Sequence, residues 1–344
     1  MFSVTNNRGF IPQSEQFEDR EMKGEDIKAY KVIHHNDFAY NPARINVGSI
    51  AKYNGYEPCM ISSLYVCFKA NNEVNEDWLM HLLRTPKVQY YYQLNGEGGV
   101  RIYLFYPNFA RIRTSIPSIE EQKKIAKILS IIDERIATQN KIIEDLKKLK
   151  SAIIESHFNG CKSNRKIGDM IIEISNRNKD NKPLPVLSVS NKSGFIAQSE
   201  QFSDRTIASE DTSNYKIVIV NDFAYNPARI NVGSIARLIN FDSGIVSPMY
   251  ICFRCAGEIS PEYLELFFQS VVFQLNMEKR LEGSVRQCLS LEGMKSIRLY
   301  VPPIIIQNTV AKRVAAIQNK LINEKILIQL HQRQRGYLLS SLFI

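Results

Sequence analysis

The sixteen residues at positions 36–51, NDFAYNPARINVGSIA, recur unchanged at positions 221–236, an offset of 185 from Asn36 to Asn221. The offset holds without a gap along most of the chain. Gly9-Phe10-Ile11 matches Gly194-Phe195-Ile196, Tyr65 matches Tyr250, Pro117 matches Pro302, Gln122 matches Gln307 and Phe158 matches Phe343. The protein is one module built twice, and a period this long is a domain duplication rather than a solenoid repeat. With 344 residues, 44% of them apolar, each copy has enough chain for its own core. Two copies in one chain can form a pseudo-two-fold body, which suits a partner that itself has two-fold character, duplex DNA being the commonest.

Each copy has two parts. The first is a mixed segment, in which runs rich in β-branched and aromatic residues read as strands at 30–33, 64–68, 215–220 and 249–253. Helical pieces follow at 76–83 and 261–269. The second part is a long helix. Ser118 is its N-cap with Glu121 three residues on, a capping box, and Glu120 and Glu121 suit the positive end of the helix dipole. The helix runs to Phe158 without Pro or Gly. Ile125, Leu129, Ile132, Ile136, Ile143 and Leu146 form one seam at heptad spacing, with Gln139 at the skipped position. Val310, Val314, Ile317, Leu321 and Ile328 form the matching seam, with Glu324 at its skipped position.

A helix of about 40 residues is a rod of roughly 60 Å, longer than its own mixed segment can cover, and a narrow apolar seam needs a partner helix. The expected fold is α+β: two duplicated mixed α/β domains joined by two long helices that form an antiparallel coiled coil about a pseudo-two-fold. The expected boundaries are 1–117 for the first mixed domain, 118–160 for the central helix, 161–303 for the second mixed domain and 304–344 for the last helix. The second copy is preceded by a segment, residues 165–182, with no counterpart before Met1. The first domain is therefore expected to lack an opening strand or to borrow one.

The net charge of +9 and a pI of about 9.1 favour a polyanionic partner without naming it. No secretory signal opens the chain and no apolar run approaches the roughly 18 residues of a membrane span, so a soluble, cytoplasmic protein with no membrane partner is expected. Cys252-Phe-Arg-Cys255 lies in a strand-like run, and its repeat has Cys67 but Ala70, so these read as buried structural cysteines. The histidines make no HxxxH or HExxH pattern, and no metal is expected.

Asn41-Pro42-Ala43-Arg44 and Asn226-Pro227-Ala228-Arg229 resemble the Asn-Pro-Pro-aromatic loop of amino-methyltransferases. The aromatic residue that would stack on a flipped base is Arg here, and no glycine-rich cofactor loop precedes it. There is no GxxxxGK[ST] and no nuclease-like cluster of carboxylates with a lysine. The chain is expected to carry no catalytic centre and to bind no cofactor.

The repeated block does suit DNA. Tyr40, Asn41, Arg44, Asn46, Ser49 and Lys52, with Tyr225, Asn226, Arg229, Asn231, Ser234 and Arg237, offer aromatic, amide, guanidinium, hydroxyl and amine groups in short compass. Asn and Arg read adenine and guanine edges bidentately, while Ser and Lys contact phosphates. Arg101 follows Gly98-Gly99 and Arg286 follows Gly283-Ser284, where a close backbone would let Arg meet a phosphate. The same block reads equally well as shared scaffold, since Asn-Pro turns a chain and Gly48 permits a bend.

The duplicated mixed domain, the Ser-x-x-Tyr segments (Ser62 to Tyr65, Ser247 to Tyr250), Glu121-Gln122 through Ala126 and the long helices together resemble the specificity subunit of type I restriction-modification systems. Ile306 departs from the pattern, replacing the Glu before Gln307. The resemblance covers essentially the whole chain. It implies two target recognition domains that each read half of a bipartite double-stranded DNA site, with the helices as a ruler for the spacer. It also implies two modification (methyltransferase) subunits docked on the helices, together with restriction subunits. S-adenosylmethionine, ATP and Mg would belong to those partners. It further implies an opening segment like 165–182 in both halves, whereas here it precedes only the second. The competing readings are a coiled-coil interaction scaffold or inactive remnant without DNA readout, which would bind partners but show no sequence preference, and an enzyme acting alone, which would transfer methyl groups as the purified chain.

Overall fold

A computed structural model describes residues 1–16, 27–99, 102–191, 193–198, 211–283 and 287–343. The chain divides into two compact units, one of Met1–Lys141 with Lys325–Ile344, the other of Ile142–Glu324. The division cuts both long helices, so each unit holds one mixed part and half of each helix.

The first unit has strands β1 (Phe2–Thr5), β2 (Gly9–Pro12), β3 (Lys31–Ile33), β4 (Phe38–Tyr40), β5 (Ile50–Lys52), β6 (Cys59–Ile61) and β7 (Val66–Phe68). They make a sheet of order β2-β1-β6-β3 and a second of order β5-β4-β7. Side chains alternate across a strand, and β4 is buried on both faces. Phe38 and Tyr40 pack with Ile45, Trp78 and Tyr92, while Ala39 packs with Val4, Ile33 and Ile61. The helices Glu76–Leu82 and Pro86–Leu94 close the larger core; Asn75 and Thr85 cap them by accepting the Trp78 and Val88 N–H groups.

The second unit repeats this plan with β8 (Arg165–Lys166), β9 (Ile171–Glu173), β10 (Val186–Ser190), β11 (Gly194–Ala197), β12 (Lys216–Ile219), β13 (Phe223–Tyr225), β14 (Ile235–Arg237), β15 (Ser243–Val246), β16 (Ile251–Cys255) and β17 (Arg298–Leu299). Its sheets are β11-β10-β15-β12, β14-β13-β16-β9 and β17-β8. The runs expected as strands at 30–33, 64–68, 215–220 and 249–253 overlap β3, β7, β12 and β16, and helices occupy Glu76–Leu82 and Pro261–Phe268, close to the expected pieces. Residues 165–173 supply β8 and β9, and among the described residues the central sheet has four strands here and three in the first unit. Cys252 is fully buried, and burial pushes both the Cys252 and Cys255 thiols up to about 12, which suits packing rather than reactivity.

The long helices span Ile119–Phe158 and Ile304–Ser341. Ser118 Oγ accepts the Glu121 N–H at 3.3 Å. In the first unit the Arg335 guanidinium reaches both Asp133 carboxylate oxygens, and Ala126 and Leu129 join the cluster of Leu339 and Phe343. Moving back along one helix from 133 to 126 moves forward along the other from 335 to 343, so these halves are antiparallel. In the second unit Lys150 Nζ donates to Gln318 Oε1 at 3.1 Å, while Ile154 and Phe158 cluster with Val310 and Val314. That pair of halves is antiparallel too. Ile132, Ile143, Leu321 and Ile328 are buried, and Ile125, Ile136 and Ile317 half-buried. At the polar breaks in the seams, Gln139 and Glu324 are each 6% exposed. Lys320 pairs with Glu324 from the next turn.

Candidate nucleic-acid interface

The identical sixteen-residue block takes the same conformation in both units, and most of its identity serves the fold. Asn36 and Asn221 sit at φ 69° and 72°, in the left-handed region that Asn tolerates. The carboxylates of Asp37 and Asp222, both buried, accept the His34 and Ile219 N–H groups at 2.8 Å. Gly48 and Gly233 close a 3-10 turn at φ 95° and 86°, a conformation that a β-carbon resists.

Several candidate contacts are withdrawn from the surface. Tyr40 and Tyr225 are fully buried. Tyr225 Oη donates to the Leu289 carbonyl at 3.2 Å, and burial raises both phenols far above their ordinary range. Ser49 and Ser234 are buried and donate to the Val4 and Val189 carbonyls, tying the block to β1 and β10. Lys52 pairs with Asp77 at 2.5 Å. Its counterpart Arg237 engages Glu262, Glu265 and Asn221. Both cations thus tie a strand end to a helix through ion pairs, with their own side chains largely covered. The reading of these six residues as DNA contacts is corrected accordingly. The sequence could not show it, because each partner carboxylate lies 25 or more residues away. Arg101 and Arg286 lie outside the described residues.

Arg44, Arg229 and Asn231 are exposed, and Asn46 is half-buried. Asn41 and Asn226 use their carboxamide oxygens to accept the Ala43 and Ala228 N–H groups at 3.0 and 3.1 Å. This Asx turn fixes the loop; Asn226 is 7% exposed and Asn41 half-buried. Asn41 and Arg44 line a cleft with Asn6, Gln13, Ser62 and Tyr65. In the second unit Asn226 and Arg229 line a cleft with Asn191, Gln198, Ser247 and Tyr250. Each of these residues is the repeat counterpart of one in the first cleft, so the same polar concavity is built twice. Tyr65 and Tyr250 shape it by accepting the Val4 and Val189 N–H groups at 3.4 and 3.3 Å.

Gln13, Gln198, Asn6 and Asn191 went unnoticed in the sequence reading, although their repetition at the offset of 185 was a signal that could have found them. Gln198 Oε1 is buried and has no hydrogen-bond partner among the described residues. A surface of Arg, Asn and Gln side chains in a concavity can form bidentate hydrogen bonds with base edges or phosphates. Among the described residues no group of His, Cys, Asp and Glu could hold a metal, and no helix is long and apolar enough to cross a membrane.

Residues 25–148 match the family model of the type I restriction modification DNA specificity domain. Over 329 residues the chain is 26% identical to a specificity subunit inferred for the type I restriction enzyme MjaX of Methanocaldococcus jannaschii, covering 87% of this chain and 75% of that protein. Over 100 residues it is 34% identical to the type I restriction enzyme MjaVIII specificity subunit of the same organism, covering 29% of this chain and 23% of that one. Among solved structures, the type I restriction-modification S subunit of M. genitalium superimposes with a TM-score of 0.55 at 16% identity, over 91% of this chain and 84% of the other. A chain from a structural study of complex assembly and conformational transition of the type I R-M system gives the same TM-score at 14% identity, over 91% and 83%.

Proposed function

We propose that this chain, similar in sequence and fold to the specificity subunits of type I restriction-modification systems, is the DNA sequence-recognition subunit of such a complex. Each mixed part reads one half of a bipartite duplex site, and the long helices set the interval between the halves. The observation that carries the reading is the duplicated cleft. Asn41 with Arg44, and Asn226 with Arg229, present the same base-reading chemistry once in each copy.

In this reading the helices also dock two modification subunits, and restriction subunits join the assembly. Binding of S-adenosylmethionine, ATP and Mg, and all the chemistry on DNA, falls to those partners. The chain itself is non-catalytic and works in the cytoplasm. Its contribution is geometric: the buried block positions one Asn and one Arg on a rigid loop, and a loop held at both ends loses little entropy on binding.

The test is selection from a randomised duplex pool, with the modification subunit and without it. A two-part motif with a constant gap is expected when the partner is present, with affinity that falls steeply as salt rises. Enrichment of a single uninterrupted motif, or a stable complex with no enrichment, would overturn the reading; the second outcome would favour a scaffold without readout. Methyl transfer by the purified chain alone would make it an enzyme instead.

A further inference from the structure

The two copies have drifted apart over much of their length, cores included. Residues 52–61 and 237–246 share no residue at equivalent positions, although Tyr53, Ile61, Leu238 and Val246 are all buried. The helix Pro86–Leu94 and its counterpart at 271–279 share only Gln89 and Gln274. The buried residues there are Val88 and Tyr92 in one copy, Phe273 and Met277 in the other. Identity between the copies is therefore not the trace of a duplication too recent to have changed.

The clefts have kept their linings. Besides the pairs already matched, Ser3 and Val4 in the first cleft have Ser188 and Val189 in the second, while Thr5 and Leu64 are replaced conservatively by Ser190 and Met249. The local hydrogen bonds recur as well. Thr5 Oγ1 accepts the Arg8 N–H at 3.1 Å, and Ser190 Oγ accepts the Ser193 N–H at 3.4 Å. Lys31 Nζ donates to the Tyr65 carbonyl at 2.5 Å, and Lys216 Nζ to the Tyr250 carbonyl at 2.8 Å. Arg8 lines only the first cleft, its counterpart being Ser193, and its guanidinium is held by Glu15 at 2.6 Å. Asn7 lines that cleft too, and its counterpart Lys192 lies outside the described residues.

The fold does not ask for all of this identity. Arg44 and Arg229 are exposed, and among the described residues neither guanidinium makes a hydrogen bond or ion pair. What the turn takes from each is its carbonyl. That of Arg44 accepts the Val47 and Ser49 N–H groups, and that of Arg229 the Val232 and Ser234 N–H groups, at 3.2 and 3.1 Å in both copies. Any residue supplies a carbonyl, and an exposed side chain without special contacts costs little to replace. Buried residues have changed between the copies while this exposed cation has not, so what holds it constant is the surface it meets.

We propose that the two clefts meet the same base pairs, so that the two halves of the DNA site carry the same bases at the positions the clefts contact. This rests on the recognition reading given above. Each base pair presents its own pattern of donors and acceptors in the major groove, so one arrangement of Arg, Asn and Gln groups selects one pattern. Two clefts that carry the same groups on the same loop select the same pattern twice. Bases beyond the reach of the clefts answer to the diverged surfaces and need not match.

The experiment selects from a randomised duplex pool with the full chain and the modification subunit, first on the parent and then on the double variants Asn6→Ala/Arg44→Ala and Asn191→Ala/Arg229→Ala. The halves of the parent's motif are compared on both strands, so the result does not depend on the direction in which they run. A common run of base pairs is expected in the two halves. The first variant should lower the preference at that run in one half by about tenfold, and the second should do the same at the same run in the other half. A two-part motif whose halves share no run of base pairs would overturn the proposal and leave the recognition reading standing. Loss of preference confined to unshared positions, or no loss in either variant, would also overturn it, because the clefts would not be the readers of the shared bases. A parent that enriches no two-part motif would overturn both readings. The comparison of the parent's halves needs no substitution, so it decides even where a variant fails to fold.

Discussion

Gln122 Oε1 accepts the backbone N–H of Asn75 at 2.7 Å, 47 residues away in the chain. Its Nε2 donates to the Glu73 and Pro117 carbonyls at 3.0 and 2.9 Å. Asn75 is the N-cap of the helix Glu76–Leu82, and Gln122 stands in the first turn of the long helix, so one fully buried amide joins the two helix entries. Gln307 repeats the device, accepting the Ser260 N–H and donating to the Glu258 and Pro302 carbonyls. Each amide satisfies three backbone groups at once.

Gln122→Leu should therefore leave a buried N–H and two carbonyls unpaired, at a cost of about 2–4 kcal/mol. Urea unfolding should show the loss, and hydrogen exchange should localise it to the Asn75 N–H and the start of the long helix. A loss under about 0.5 kcal/mol would contradict a structural clamp.

Acid should loosen each unit through one histidine. Burial lowers the pKa of His81, on which Asp133 and Asp77 act upward and Arg335 and Arg84 act downward; burial likewise lowers that of His157, whose Nε2 lies 2.8 Å from Tyr263 Oη. A depressed folded pKa means that the unfolded chain binds the proton more readily. The associated stability is complete above the ordinary histidine value of 6.5 and is lost as pH falls from there through the lowered folded value. In thermal melts from pH 8 to 5, His157→Gln should flatten part of that slope. An unchanged slope in both His157→Gln and His81→Gln would contradict the assignment.

Arg237 and Arg44 should separate stability from DNA affinity. Arg237→Gln strands Glu265, whose carboxyl is pushed up chiefly by burial and held down by Arg237. A raised folded pKa favours stability at low pH, so the variant should lose about 2–4 kcal/mol near pH 7 and less as pH falls into the ordinary glutamate range. The salt slope of its DNA binding should match the parent. Arg44→Ala should leave the melt unchanged and reduce that slope by about 1 if the guanidinium meets a phosphate, or relax one base position if it reads an edge. The reverse assignment of effects would contradict the division drawn between these cations.

Much of the architecture is legible in the sequence because repetition and period report it directly. The offset of 185 exposes two modules, and Ser118 with an uninterrupted apolar seam marks a helix that ends at Phe158. The candidate site was less legible, for a physical reason. Tyr40, Ser49 and Lys52 have side chains that DNA-binding surfaces use, but whether such groups face water depends on contacts far along the chain. Tyr40 is enclosed with Trp78 and Tyr92, Ser49 is tied to Val4, and Lys52 to Asp77. Identity between the copies marks what both folds need, so it points to the scaffold more strongly than to the readout. Asn41 and Arg44, with their counterparts Asn226 and Arg229, are the candidate residues of the block that line the clefts without being tied to another strand or helix.

The central claim is that two copies of one cleft read two halves of one site. Its most direct test repeats the randomised-duplex selection, with the modification subunit present, on Arg44→Ala and Arg229→Ala. Each variant should lose information in one half of the enriched motif, a different half in each case, with the gap between halves unchanged. Loss in both halves from either substitution, or no loss from both, would contradict the account.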